Sequence, residues 1–256
     1  MEVLVYIKAV PGYVTSPEVP ATGDGIGGKT GPLLMNESDE YALGTALALK
    51  KDAGGEVSVL SAGPISCQEV IYKGLAKGAD RGVRVDVGFA DSLSIARALV
   101  AASRHLEYDL ILTGVESSDN MSAVVGQSAA EMLGLPFVYS ATDIKPGSGS
   151  DCVTVTRELG GGVSQVVEVK LPALVCVQSG TTPLGFIPVR KLLQARSKSV
   201  TCLDMAVLDM GEEFKSPGAA RIVEVFYPQK GAWAEIITGE PAAVASVLMK
   251  RIREAL

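Results

Sequence analysis

The first half of the chain alternates short apolar runs with amphipathic stretches. Residues 3–7 and 110–112 are apolar runs of buried-strand character, and the valine-bearing stretches 57–60 and 83–85 read as two further short strands. Helical patterns lie between them. Leu43, Ala46 and Leu47 share a face after Asn36-Glu37-Ser38-Asp39; Ile71 and Leu75 follow Ser66-Cys67-Gln68-Glu69; Ala96, Leu99 and Val100 follow Asp91-Ser92. Asp or Ser suits the first of these starts, because its oxygen accepts a backbone N–H. Ser66 to Glu69 has the spacing of a capping box. Gly78-Ala79-Asp80 closes the second helix. Alternating strands and helices predict βαβ units and a parallel sheet.

Beyond residue 150 the pattern changes. Residues 153–158 alternate, Gly160-Gly161-Gly162 supplies a turn, and 166–170 alternate again, which predicts a hairpin at one sheet edge. Residues 174–177 form one more buried strand. A Pro-punctuated, basic stretch follows Ser179, residues 200–240 show no clear core pattern, and a helix over 242–256 carries Val244, Val247, Leu248 and Ile252 on one side. This divides the chain into an α/β domain over 1–198 and a C-terminal arm over 199–256. An apolar arm with little core of its own packs on a partner; a self-packed tail is the alternative.

The most informative stretch runs from Asp109 to Pro136. Leu110 to Leu112 break at Thr113-Gly114 into a polar turn with Ser117, Ser118, Asp119 and Asn120. A helix with Val125, Ala129, Met132 and Leu133 on one face follows, and Gly134 and Pro136 stop it. First-turn N–H groups have no partners inside a helix and can bind a phosphate. The competing reading is an ordinary crossover turn with a helix cap.

Composition narrows the field. The chain has 256 residues, 47% of them hydrophobic, and a mean hydropathy of +0.29. That suits a sheet covered on both faces. A net charge of −6 without a basic run argues against nucleic-acid binding, and no apolar run approaches a membrane span. Cys67, Cys152, Cys176 and Cys202 are scattered and read as reduced thiols of a cytoplasmic protein. With His105 the only histidine, a metal site or a His-based triad is not expected. Gly23 to Gly28 matches G-x-G-x-x-G but lacks the strand before it and the helix after it, so we read it as a flexible loop. Glu116 and Asp119 read as hydrogen-bond acceptors beside a nucleotide rather than a catalytic pair.

These pieces together resemble the β-subunit of the electron-transfer flavoprotein family. The resemblance is carried by VLVYIK at residue 3, by NESDEYAL at Asn36, and by Ser61-Ala62-Gly63-Pro64 followed by Gln68-Glu69. Leu75 to Arg81 (LAKGADR), Thr154 to Ala173 (TVTRELGGGVSQVVEVKLPA), and Gly114 to Asp119 with Val125-Gly126-Gln127 complete it. It implies a doubly wound, mainly parallel, Rossmann-like α/β fold that binds an adenine nucleotide, with an edge hairpin and an arm that wraps an α-subunit. The family's FAD lies mostly in the α-subunit at the interface. The β-subunit holds a structural AMP or, in electron-bifurcating members, a second FAD.

Carried over by motif, the nucleotide site comprises Tyr6, Asn36, Glu37, Ser38, Asp39, Ala62, Gly114, Val115, Glu116, Asp119, Asn120, Ser122, Ala123, Val124, Val125, Gly126 and Gln127. The resemblance gives Asn36 and Asp39 the polar edges of the ligand, Tyr6 and Ala62 an adenine slot, and 122–125 the phosphate. A recognition loop over 179–190 contacts a dehydrogenase through Thr181, Thr182, Pro183, Leu184, Phe186, Ile187 and Pro188, with Ile187 where the family has an anchoring leucine. Several positions depart from the family: Tyr6 replaces a small residue, Glu116 replaces Gln, and the recognition loop lacks its usual Arg and Glu.

Three functions are therefore expected in competition. The first is a heterodimeric carrier of electrons from a flavin dehydrogenase to a quinone-linked acceptor, with no catalytic residues of its own in this chain. The second is a bifurcating, NADH-oxidising complex. The third is a homodimeric, stress-type nucleotide-binding module.

Overall fold

A computed structural model describes residues 1–12, 18–19, 31–88, 90–149, 151–182, 185–210, 223–227, 231 and 234–255. The glycine-rich stretch at 23–28, Pro183 and Leu184 lie outside the described residues.

In chain order the strands and helices are β1 (Val3–Tyr6), β2 (Ala9–Val10), β3 (Leu34–Met35), α1 (Glu37–Ala53), β4 (Val57–Gly63), α2 (Gln68–Lys77), β5 (Arg81–Asp86) and α3 (Ser92–Ser103). They continue as β6 (Leu110–Gly114), α4 (Val125–Leu133), β7 (Phe137–Pro146), β8 (Cys152–Gly160), β9 (Val163–Lys170), β10 (Ala173–Val177), α5 (Val189–Arg196), β11 (Thr201–Asp204) and α6 (Pro241–Ala255). Nine strands form one sheet in the order β11-β5-β4-β1-β6-β10-β7-β8-β9, while β2 and β3 pair separately. All neighbours from β11 to β7 are parallel; β8 and β9 are antiparallel. The fold is thus α/β, doubly wound and mainly parallel, with the hairpin at one edge.

The central strands carry no polar face because helices cover both sides. Val3, Val5, Val57, Val59, Leu110 and Leu112 pack toward α1 and α2. Leu4, Tyr6, Leu60, Val83, Ile111 and Leu174 pack toward α3 and α4.

Two helix starts differ from the sequence expectation. Asn36 occupies the N-cap position of α1 without a side-chain cap, and Ser38 and Asp39 lie inside its first turn. Ser66 falls in a 3-10 turn, Ile65–Cys67, so α2 begins at Gln68 and no capping box forms. The third start behaves as expected: Asp91 accepts from the N–H groups of Leu93 (3.1 Å) and Ser94 (3.3 Å). Strand β11 and the buried Leu208 and Met210 give residues 201–210 to the sheet and its core, where the sequence shows no core pattern. In α6 no residue is buried.

Candidate functional site

Strand order locates a crevice. From β1 the chain steps outward through β4 and β5, then returns past β1 to β6. Ligands of open α/β sheets bind beyond the carboxyl ends of the strands at such a reversal. Here it falls between β1, ending at Tyr6, and β6, ending at Gly114.

The segment leaving β6 crosses this edge and enters α4. The Oδ1 of Asn120 accepts from the Ser117 hydroxyl (2.9 Å) and from the Ser122 N–H (3.3 Å). The hydroxyls of Ser122 and Ser92 stand 2.8 Å apart, so the start of α3 meets the segment leading into α4. Met121 and Ala123 hold φ of 48° and 53°, a left-handed region that residues other than glycine seldom adopt. Val124 follows in the right-handed region, with φ −106° and ψ −16°. Successive N–H groups in such a pair form a concavity that accepts an anion. No side chain caps α4. The N–H groups of Val125, Gly126 and Gln127 therefore have no partner inside the helix, and the helix dipole adds positive potential there. Gly126 brings this helix onto the sheet: a Cβ there would lie 2.5 Å from Cys176 Sγ and 2.9 Å from Thr113 Cγ2.

Three side chains hold the base of the segment. Asp39 accepts from the N–H of Lys8 through Oδ2 (2.7 Å) and from the N–H of Gly114 through Oδ1 (2.9 Å). Asn36 donates to the Glu116 carbonyl (2.8 Å) and accepts from the Ser118 N–H (3.1 Å). Lys8 Nζ donates to Ser117 Oγ (3.0 Å) and pairs with Asp119 (2.6 Å). Burial raises the pKa of Asp119, but the hydrogen bonds from Lys8 and Ser117 and the Lys8 charge outweigh it and hold the carboxyl below its ordinary value. Lys8 was absent from the sequence-derived site; a lone lysine ending an apolar run was the available signal.

The structure therefore gathers Gly114 to Gln127 at the crevice, but places Asn36 and Asp39 as supports of that segment. Tyr6 lies on the α3 face, 2% exposed, with its hydroxyl 2.7 Å from Ser103 Oγ. Burial raises its pKa further than the Ser103 hydrogen bond lowers it. Ala62 packs on the same face. Val115 is buried and its N–H donates to the Val177 carbonyl (3.2 Å), whereas Glu37 and Glu116 are exposed. Ser38 Oγ stands 3.2 Å from Ser179 Oγ.

In the segment expected to be a recognition loop, Thr181 and Thr182 are half-buried, and Pro188 is the N-cap residue of α5. Ile187 packs against the α1–α2 core, while Phe186 is 88% exposed. Among the described residues of 179–190, the projecting apolar side chains are thus Phe186 and Val189, while Ile187 is half-buried. Lys77 holds the loop near Phe186, donating to the Gly185 carbonyl (3.2 Å) and pairing with Glu40 (3.3 Å). Among the described residues, no cluster of His, Cys, Asp and Glu could hold a metal ion, and no helix is long and apolar enough to cross a membrane.

Comparison with known proteins bears on these elements. A family model described as the electron transfer flavoprotein domain matches residues 29–208. The electron transfer flavoprotein subunit beta of Methylophilus methylotrophus is 30% identical over 263 residues, covering 99% of this chain and 98% of that protein. The subunit beta of Bradyrhizobium diazoefficiens is 33% identical over 82% of this chain and 84% of its own length. A mitochondrial subunit beta from Arabidopsis thaliana is 30% identical over 90% of each.

Proposed function

The chain belongs to the electron transfer flavoprotein family, as a β-subunit, and from that premise we propose that it works as half of a cytoplasmic heterodimeric electron carrier. An α-subunit is its partner and holds most of the FAD. A flavin dehydrogenase donates the electrons and a quinone-linked acceptor receives them. The flavin, when bound, supplies the redox chemistry; this chain supplies binding and orientation.

An AMP at the β1/β6 crevice is the second part of the reading. One observation carries it: the left-handed Ala123, the right-handed Val124 and the uncapped start of α4 leave several consecutive N–H donors without helical partners, a backbone form that accepts anions. Residues 122–127 would hold the phosphate. Ala62 would wall the base on the α3 face, and Tyr6, 2% exposed with its hydroxyl engaged by Ser103, would pack behind it. The exposed Phe186 would dock the dehydrogenase, since an apolar side chain filling a partner's pocket dominates such contacts. The arm carrying α6 would lie on the α-subunit, covering Val247, Leu248, Met249 and Ile252, each at least 41% exposed here.

The test is co-expression with the α-subunit, followed by denaturation and mass analysis of every released small molecule. One FAD and one AMP per heterodimer is the expected result. Two FAD would favour the bifurcating reading. A colourless complex, or a stable homodimer of this chain alone, would refute the carrier.

A further inference from the structure

Asp39 approaches the sheet edge from the α1 face, whereas the segment assigned to the phosphate continues onto the α4 face. We propose that Asp39 is a positioning residue for the nucleotide: acting across the sheet edge, its carboxylate fixes where the 114–127 segment starts, and nucleotide retention depends on that carboxylate. This rests on the reading of that segment as a nucleotide site.

The geometry leaves Asp39 little else to do. It is 5% exposed, and its two oxygens accept from backbone N–H groups of Gly114, at the end of β6, and of Lys8, in the segment between β1 and β2. Gly114 has no freedom to approach further, because a Cβ there would already lie 2.5 Å from Ser38 Cβ and 2.6 Å from Asp39 Oδ1. A carboxylate accepts at both oxygens without offering a donor. A protonated carboxyl or a carboxamide sets a donor against one of the two N–H groups and leaves that bond unmade.

Burial pushes the Asp39 pKa up to about 7, against the N–H groups of Lys8 and Gly114, the Asn36 side chain and the Lys8 charge, which pull it down. The surrounding groups do not compete for this window. From the segment after β1, the Lys8 ammonium is paired with Asp119. From β10, Cys176 is held neutral, its thiol pushed up to about 12 by burial and by the Asp39 charge. Within α1, Glu40 pairs with Lys77, Glu37 faces solvent, and Asn36 and Ser38 carry no charge. Glu116 of the loop is also exposed.

The experiment measures AMP affinity by titration calorimetry on nucleotide-depleted heterodimer at pH 6, 7 and 8, for wild type and Asp39→Asn. At pH 8 the variant is expected to bind about 10-fold more weakly, the scale of one charge-assisted hydrogen bond. On acidification to pH 6 the wild type loses affinity more steeply than the variant. The titration of the phosphate itself is common to both profiles and cancels in their ratio. Parallel profiles with unchanged affinity at pH 8 would overturn the proposal while leaving the nucleotide reading intact. Failure of the wild type to bind AMP at any pH would remove both. If Asp39→Asn does not fold, amide exchange in the wild type decides: protection of the Gly114 and Lys8 N–H groups must fall below pH 7 beyond the intrinsic pH effect, and constant protection refutes the idea.

Discussion

Replacing Gly114 by alanine tests how closely α1 and β6 are fitted together. The added methyl would lie 2.5 Å from Ser38 Cβ, 2.6 Å from Asp39 Oδ1 and 2.7 Å from the Ser38 carbonyl carbon. None of these is the loose end of a flexible side chain: two belong to the Ser38 residue at the start of the helix, and Asp39 is tied down at both oxygens. Relief requires α1 to move away, which stretches the bond between Asp39 and the Gly114 N–H. Overpacking costs about 1–3 kcal/mol, and a hydrogen bond to a charged group contributes about 1.5–3 kcal/mol. Together the loss is about 2.5–6 kcal/mol. For a chain of this size that corresponds to a fall in Tm of roughly 5–24 °C. Gly88→Ala is the control, because a Cβ there meets nothing within 4 Å, and its cost is expected within about 0.5 kcal/mol. Denaturant midpoints of both variants supply the comparison. A Gly114→Ala protein within about 1 kcal/mol of wild type would refute the close fit of the two elements.

Three further outcomes follow from the structure. The Asp39 pKa is raised in the folded chain from an ordinary 3.8 to about 7, so its contribution to stability is fully present below about pH 4 and is lost as pH rises through 7, by at most about 4 kcal/mol; unfolding curves from pH 5 to 8 should slope downward in wild type and flatten in Asp39→Asn, and equal slopes would contradict this. Tyr6→Phe removes the contact to Ser103 Oγ, which keeps its own bond to the Leu99 carbonyl (2.7 Å), so a loss of only about 0.5–1.5 kcal/mol is expected in the same assay. Phe186→Ala should leave stability within about 0.5 kcal/mol but lower kcat/KM for electron transfer from the donor dehydrogenase about 10-fold or more; unchanged kinetics would exclude Phe186 from the docking surface.

β1 and the start of β6 were legible because they are buried on both faces and read as unbroken apolar runs, and β4 and β5 because their valines and leucines stand out although Ser58, Ser61 and Arg84 interrupt them. β7 was hidden by a bulge: Ser140 takes φ 61°, the register shifts beside it, and alternation breaks in mid-strand. β11 was hidden because an edge strand pairs through its backbone, and three of its four side chains are exposed. At the crevice, the strand, polar turn and helix start could be read from residues 110–136. The support roles of Asn36 and Asp39 could not, because their partners in the 114–118 segment lie more than 70 residues away in the chain. Sequence spacing marks a polar side chain as near a site, but only the fold says whether it meets backbone or ligand.

The opening turn of α1 serves two masters. Ser38 meets Ser179 at the root of the loop proposed to dock the dehydrogenase, and its neighbour Asp39 grips the end of β6 and the segment after β1 beneath the crevice. Any engineer who retunes one of these loops by rewriting that turn will disturb the other, so partner choice and cofactor seating are expected to change together in variants selected for either trait.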